Sequence, residues 1–310
     1  MVRLARNWVH GARTLPIPAC LKDNHAELND GPGFEASLKH HYFKDDEVWF
    51  AHPEGAYDLQ DHINGRMNRA REQIVPWVAD HVSLAGKRVL EIGCGTGSST
   101  VAFVEQKAVV TAYDLDEKSV TVARDRLAAH NLHADVRLQS TQPEGTFDII
   151  LMYAVLEHMT LEERLAAIRE AWGKLARGGF LVIVETPNRL WYYDSHTAMT
   201  NFFLWLPDDL ALLYAKRTPR PRYVEVTDPI EFIRWGRGVS FHDFEIALDT
   251  TCGELPVVGS MTQWIRRQTR TERIGRNDVG RRWERTLKEL HPAMHEGFTT
   301  AYLDLILRKD

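Results

Sequence analysis

Between residues 87 and 187, five short apolar runs are interleaved with three stretches of helical text. That alternation narrows the possible folds more than any other feature of the chain. Arg88-Val89-Leu90-Glu91-Ile92-Gly93 reads as a buried strand entering a glycine turn, and helical text follows from Ser98 to about Gln106. The pattern continues with a strand at 108–114, a helix from Asp116 to His130, a weaker strand at 135–138 and a fourth strand at 147–152. A helix from Leu161 to Ala176 is expected to stop at Gly178-Gly179, before a fifth strand at 180–185 closed by Thr186-Pro187. Strands that are continuously apolar, and separated by helices, predict a doubly wound parallel sheet covered on both faces.

The flanks read differently. Residues 1 to about 58 show no clean period; Gly31-Pro32-Gly33 and His52-Pro53-Glu54-Gly55 bracket an aromatic group (Tyr42, Phe43, Trp49, Phe50), with Tyr57 just beyond. Aromatics among turn signals predict a segment packed onto something else. From Asp58 to about His81, Ile63, Met67, Ala70, Ile74 and Val78 recur at helical spacing, with Arg66, Arg69 and Arg71 among them. Pro76 should kink or interrupt that helix. The aromatic-rich stretch 188–250 is too long for a loop and reads as a cap inserted after the fifth strand. Residues 264–288 carry eight Arg and one Lys against three acids, and read as a solvated helix face or a surface meeting an anionic acceptor. Residues 299–307 alternate enough to be a last strand. The expected organisation is an N-terminal, partly helical extension (1–84), a core (85–187), the cap (188–250) and a C-terminal helix with the last strands of the sheet (251–310).

Composition excludes several classes. With 44% hydrophobic and 26% charged residues the chain is not wholesale disordered, and a net charge of −5 disfavours a general nucleic-acid binder. Three cysteines (Cys20, Cys94, Cys252) are too few and too scattered for a disulfide framework or a CxxC metal site. The basic start, MVRLARNWVHGARTLPIP, leads into no apolar run of signal-peptide length, and no stretch approaches the ~20 apolar residues of a membrane span. The simplest expectation is a cytoplasmic protein, with a homodimer left open.

The segment that carries chemistry is Glu91-Ile92-Gly93-Cys94-Gly95-Thr96-Gly97-Ser98. Glycines at a strand-to-helix turn either serve backbone geometry alone or let a ligand approach the main chain. A G-x-G-x-x-G dinucleotide fingerprint would need glycine where Ser98 stands. Asp114 ends the second strand, where an acid either binds ribose hydroxyls or caps the next helix; Asp116 is the better cap. Cys94 reads as a small turn filler rather than a reactive thiol.

These residues resemble class I S-adenosylmethionine-dependent methyltransferases. Leu90 to Gly97 is similar to that family's first motif, Thr111-Ala112-Tyr113-Asp114 to its acidic second motif, Phe147-Asp148 through Leu156-Glu157-His158 to its fourth strand and following loop, and Gly178 to Val184 to its fifth strand. The resemblance covers roughly 86–190 and implies a seven-stranded Rossmann-like α/β sheet. It implies that Gly93, Gly95 and Gly97 face the methionine part of S-adenosyl-L-methionine and Asp114 its ribose, with Glu91 also counted as cofactor-binding. Leu115, Ser140 and Thr141 would flank the adenine, although the acid common in that region is absent. Tyr153 would lie near the methyl donor.

Methyl transfer needs the acceptor aligned and, for an alcohol, its proton removed. His158 either acts as the base or orients its loop. Some relatives hold a divalent metal with an acid three residues before Glu157, together with Glu157 and His158; Ala154 stands at that position, so no metal is expected. Asp194 and His196, just beyond the fifth strand, either pair as carboxylate and base or tie the cap to the core. Phe202-Phe203-Leu204-Trp205-Leu206-Pro207 is cap core or the wall of an acceptor pocket, and His242-Asp243 is a further polar pair without a place. The catalytic candidates are therefore His158, Asp194 and His196. The expected activity is O-methylation of a small-molecule or sugar-containing acceptor by in-line transfer. The alternatives are N- or C-methylation, or an S-adenosylmethionine-binding protein without catalysis.

Overall fold

The computed structural model describes residues 32–251, 254–268 and 278–310. Cys20, Cys252, the basic start of the chain and the 269–277 part of the Arg-rich stretch lie outside the described residues. The first described segment is helical: α1 (Pro32–Ser37), a π-helical turn (Leu38–Tyr42) and α2 (Glu47–Ala51). A longer run then passes through α3 (Pro53–Gln60), α4 (Arg66–Arg69) and α5 (Val75–Ala79), spliced by π-helical turns at Asp61–Gly65 and Ala70–Ile74. The interruption expected at Pro76 takes this form. The Val75 N–H bonds back to the Ala70 carbonyl, and the widened turn admits the proline ring without ending the run.

The alternating region follows as β1 (Arg88–Ile92), α6 (Ser98–Glu105), β2 (Val109–Asp114), α7 (Glu117–Ala129), β3 (Asp135–Leu138), β4 (Phe147–Tyr153), α8 (Leu161–Lys174) and β5 (Leu175–Pro187). After it come a short hairpin of β6 (Tyr193–Asp194) and β7 (Thr200–Asn201), then α9 (Asp208–Ala215), α10 (Pro221–Val224), α11 (Pro229–Arg234) and α12 (Phe241–Leu248). The chain closes with β8 (Val257–Ser260), α13 (Met261–Gln268), α14 (Asp278–Leu290) and β9 (Tyr302–Arg308). Among the described residues the main sheet has seven strands in the order β3-β2-β1-β4-β5-β9-β8. Neighbours from β3 to β5 pair in parallel, whereas β9 runs antiparallel to both β5 and β8.

Successive strand residues point to opposite faces, and both faces are apolar. Val89, Val110, Ile149, Leu151 and Val182 meet helices α5, α6, α7 and α13 on one side. Leu90, Ile92, Ile150, Met152 and Ile183 meet α8 and α12 on the other. The N-terminal layer adds a satellite cluster in which Phe34, Leu38, Leu59 and Ile63 close over Val122 of α7.

Two boundaries depart from expectation. Helix α8 ends at Lys174 rather than at Gly178-Gly179, and β5 starts at Leu175. The glycine pair lies inside the strand because the backbone of Lys309, beyond β9, bonds to both: Gly178 N–H to the Lys309 carbonyl at 2.7 Å, and Lys309 N–H to the Gly179 carbonyl at 2.9 Å. Within 188–250, the chain leaves β5 at Asn188 and returns through a parallel bridge between Asn188 and Val239. The part between them has its own small core of Phe203, Leu204, Ala211, Tyr223 and Phe232. Helix α12 instead packs on α8 through Phe241 and Phe244, as part of the main body.

Candidate active site

The glycine turn sits at the carboxyl end of β1, where strand order reverses between β2 and β4. Its three glycines do different work, although all have positive φ (72°, 51° and 80° for Gly93, Gly95 and Gly97). A Cβ at Gly93 would come within 2.6 Å of Val155 Cγ2, and one at Gly97 within 3.0 Å of Ala123 in α7, so these two allow close packing. A Cβ at Gly95 would meet nothing within 4 Å. Gly95 therefore presents bare main chain to open space. Its N–H donates to Asp114 Oδ2 at 2.9 Å, and the Asp116 N–H donates to Asp114 Oδ1 at 3.0 Å. Each carboxylate oxygen keeps acceptor capacity for a further donor. Asp116 caps α7 by accepting from the Ser119 N–H, which leaves Asp114 out of the capping role.

Glu91 supports the turn from beneath. It is fully buried and accepts from the hydroxyls of Ser99 and Thr100 at the start of α6. Burial pushes its carboxyl up to about 7, against the lowering effect of those two hydroxyls. Its oxygens thus hold the turn rather than face ligand. Cys94 is a buried free thiol whose pKa burial raises, in keeping with a filler. Leu115 is 68% exposed, and Ser140 and Thr141 are exposed just past Leu138, which pairs with Asp114. These residues flank the Asp114 side of the turn.

The N-terminal layer closes over the same turn, which sequence reasoning missed. His62 Nδ1 lies 3.2 Å from Thr96 Oγ1, and burial together with Arg66 and Arg126 pushes its imidazole down to about 2. The buried Arg126 of α7 donates to Ser98 Oγ and to the His62 carbonyl, and its guanidinium lies 4.0 Å above the Phe34 ring. One cation thereby ties α7, the glycine turn and the N-terminal helices together.

At the ends of β4 and β5, Tyr153 Oη accepts from Arg69 Nη1 at 3.1 Å, and the same nitrogen meets both oxygens of Glu185 at 2.5 and 2.6 Å. Arg69 also donates to Asp61 at 3.1 Å. Burial raises the Tyr153 phenol, so it stays protonated. The Glu185 N–H donates to Asp304 at 2.6 Å, and the desolvation of Asp304, with the Glu185 charge beside it, pushes its carboxyl up to about 7. The helical spacing of Arg66 and Arg69 was visible in the sequence; their partners were not.

The histidines expected at this edge do come together. His158 and His196 have ring centroids 5.7 Å apart, and Glu157, His158 and His196 place one possible ligand atom each within 4.8 Å of the others. His158 Nδ1 lies 2.7 Å from the Arg234 carbonyl, and its Nε2 lies 3.7 Å from Glu157 Oε1. Glu157 is fully buried, and among the described residues neither of its oxygens, nor His196 Nδ1, has a hydrogen-bond partner. Burial, with a smaller contribution from Glu185, pushes Glu157 up to about 8. Burial, with His158 beside it, pushes His196 down to about 4, and burial also lowers His158.

The expected Asp194–His196 side-chain pair does not form. Both Asp194 oxygens are taken locally by the backbone N–H groups of His196, Thr197 and Ala198 at 2.9, 2.9 and 2.7 Å and by the Thr197 hydroxyl. An aspartate with acceptable donors two to four residues on closes its own turn before it reaches a ring. Asp194 positions the His196 backbone and leaves the imidazole free. Other polar and aromatic candidates resolve similarly. Asp243 completes the capping box of α12 by accepting from the Ser240 N–H and pairs with Arg164 at 2.9 Å, while Phe203 and Leu204 are cap core and Phe202 and Trp205 lean on Trp283.

Comparison with known proteins places the chain among methyltransferases. Residues 90–183 match a family described as a methyltransferase domain. The chain is 33% identical over 178 residues to a ubiquinone biosynthesis O-methyltransferase of Aromatoleum aromaticum, covering 55% of this chain and 70% of that one. It is 35% identical over 121 residues to the protein of the same name from Stutzerimonas stutzeri, covering 37% of this chain and 50% of that one. The chain spans about half the length of the first curated relatives it matches. A solved magnesium protoporphyrin IX methyltransferase of Synechocystis PCC 6803 aligns with a TM-score of 0.39 at 22% identity, over 53% of this chain and 80% of that one. The chain belongs to the class I S-adenosylmethionine-dependent methyltransferases. No helix of the described residues is long and apolar enough to cross a membrane.

Proposed function

We propose that the protein is an O-methyltransferase that uses S-adenosyl-L-methionine to methylate a hydroxyl of a small molecule. The observation that carries the reading is Gly95, whose bare main chain faces open space while its N–H holds the carboxylate of Asp114. The residues present fit the cofactor: Asp114 can accept ribose hydroxyls, Leu115, Ser140 and Thr141 flank the adenine side, and Gly93, Gly95 and Gly97 admit the methionine part. Tyr153, held protonated and fixed by Arg69, borders the donor end. When bound, the cofactor supplies a methyl group whose bond to sulfur breaks, with its electrons kept by sulfur, as the bond to the acceptor oxygen forms.

The chain's own part is to hold the acceptor in line and to take charge of its hydroxyl proton. Glu157, His158 and His196 are the groups proposed to meet that hydroxyl. They lie together at the carboxyl edge of the sheet, with His196 contributed by the inserted segment. The names of the relatives support oxygen as the acceptor atom. A sugar hydroxyl and a phenolic hydroxyl satisfy the same geometry, so both belong in the test. Purified protein incubated with S-adenosylmethionine and a panel of phenols and glycosides should release S-adenosylhomocysteine in step with an O-methylated product. Release no faster than in acceptor-free controls across the panel, from protein that binds S-adenosylhomocysteine, would reduce the reading to cofactor binding alone.

A further inference from the structure

We infer that Glu157, His158 and His196 form a binding site for one divalent transition-metal ion, with the inserted segment supplying through His196 the ligand that Ala154 removes from the loop after β4. The inference deepens the proposed function, because it assigns an ion to the side chains that would meet the acceptor hydroxyl. It stands on geometry independent of that reading.

Three observations carry it. First, the three ligand atoms lie within 4.8 Å of one another. Ligands sharing one ion at about 2.0–2.2 Å stand roughly 3.4 Å apart in a tetrahedral site, so small rotations complete the set. The His158 Nε2 to Glu157 Oε1 separation, 3.7 Å, is already close to that value. Second, the donors are unspent. Glu157 is fully buried, and among the described residues neither of its oxygens has a hydrogen-bond partner, nor does the buried Nδ1 of His196. A buried carboxylate left without partners is costly unless a cation or donor completes it. Third, the outer contacts suit coordination. His158 uses Nδ1 on the Arg234 carbonyl, which fixes the tautomer and leaves the Nε2 lone pair directed at Glu157, the usual arrangement of a metal-bound imidazole.

His196 is held in place by a close approach of main chain. A Cβ at Gly236 would lie 2.9 Å from its ring, and the Asp194 turn fixes its backbone. Two imidazoles and one carboxylate favour zinc-type, cobalt or iron ions over magnesium, which prefers an oxygen shell. Three protein ligands leave a position open for an acceptor oxygen.

The test uses chelator-treated full-length protein titrated with Co2+, read by visible d–d absorption, and by calorimetry with Zn2+. One equivalent of Co2+ should enter and be displaced by Zn2+, while Mg2+ at the same concentration should produce no displacement. Glu157→Gln and His196→Ala should each weaken binding beyond the roughly 10- to 100-fold typical of losing an outer-shell partner. His158→Ala gives the same readout should His196→Ala fail to fold. No stoichiometric uptake, or wild-type affinity in Glu157→Gln and in a folded histidine variant, would overturn the inference. S-adenosylhomocysteine binding is measured on the same samples. Its absence alongside intact Co2+ uptake would overturn the methyl-transfer reading and leave the ion site standing.

Discussion

Gly95 separates ligand binding from folding more sharply than any other position in the site. An added Cβ there meets no protein atom within 4 Å, so Gly95→Ala and Gly95→Val create no internal clash. The residue has φ of 51°, a region that costs a non-glycine residue about 1–2 kcal/mol. For a protein of this size that is a fall in Tm of only a few degrees. The same Cβ stands in the space the cofactor is proposed to fill. Overpacking of that kind costs roughly 1–3 kcal/mol, a loss of about five- to 150-fold in affinity for alanine and more for valine. Gly97→Ala is the contrasting control, because its Cβ would press on the Ala123 backbone at 3.0 Å and should cost stability as well as affinity. Calorimetric titration with S-adenosylhomocysteine, beside thermal unfolding of each variant, reads both quantities. Wild-type affinity in Gly95→Val, with a Tm close to wild type, would refute the placement of ligand at this turn.

Three further perturbations probe neighbouring groups. Asp114→Ala should weaken cofactor binding tenfold or more, since a hydrogen bond to a charged group contributes about 1.5–3 kcal/mol; unchanged affinity would remove Asp114 from the ribose site. Glu91→Gln addresses stability and pH. The Glu91 carboxyl is raised from 4.5 to about 7, so its contribution is fully present below pH 4.5 and is lost as pH rises through about 7. The loss amounts to about 3 kcal/mol at most. Glutamine should flatten that part of the stability profile and raise unfolding free energy at pH 8, and an unchanged profile in denaturant melts would contradict the buried-acid account. His196→Ala should lower turnover at least tenfold while leaving S-adenosylhomocysteine affinity near wild type; full activity would take His196 out of the acceptor site.

The sequence was legible where structure is local. Apolar runs ending at Gly93 and Asp114 specified β1 and β2, and Asp116, rather than Asp114, could be recognised as the cap of α7 from its position before the helix. Legibility failed where partners are distant. Gly178-Gly179 carries a helix-stop signal, yet main-chain bonds to Lys309 draw the pair into β5. His62, Thr96 and Arg126 come from three separate segments, and no local pattern marks their meeting. Asp194 is the opposite case. Its turn is wholly local, and a carboxylate followed by donors at 196, 197 and 198 was a readable signal for an aspartate turn. The cluster of Glu157, His158 and His196 depends on the inserted segment folding back across the edge of the sheet, which pattern reading cannot place.

Backbone strain converges on the same edge. Ala154 and Glu185, neither a glycine, both have φ of 50° and follow directly on Tyr153 and Val184, which are paired across β4 and β5. Left-handed backbone at two such residues persists only when the surroundings over-determine it. Here they do: the Ala154 N–H donates to the Val184 carbonyl at 2.9 Å, and the Glu185 N–H donates to Asp304 at 2.6 Å. The Glu185 carboxylate grips Arg69, and through Arg69 the N-terminal helices and Tyr153. From Ala154 the chain leads within three residues to Glu157 and then His158. Three parts of the chain that are remote in sequence thus share one rim: the N-terminal helices through Arg69, the sheet through the strained residues Ala154 and Glu185, and the inserted segment through His196. A rim locked in this way fixes the spacing between the turn at Gly95 and the cluster at Glu157. That spacing is what an in-line transfer between two bound molecules requires of a protein.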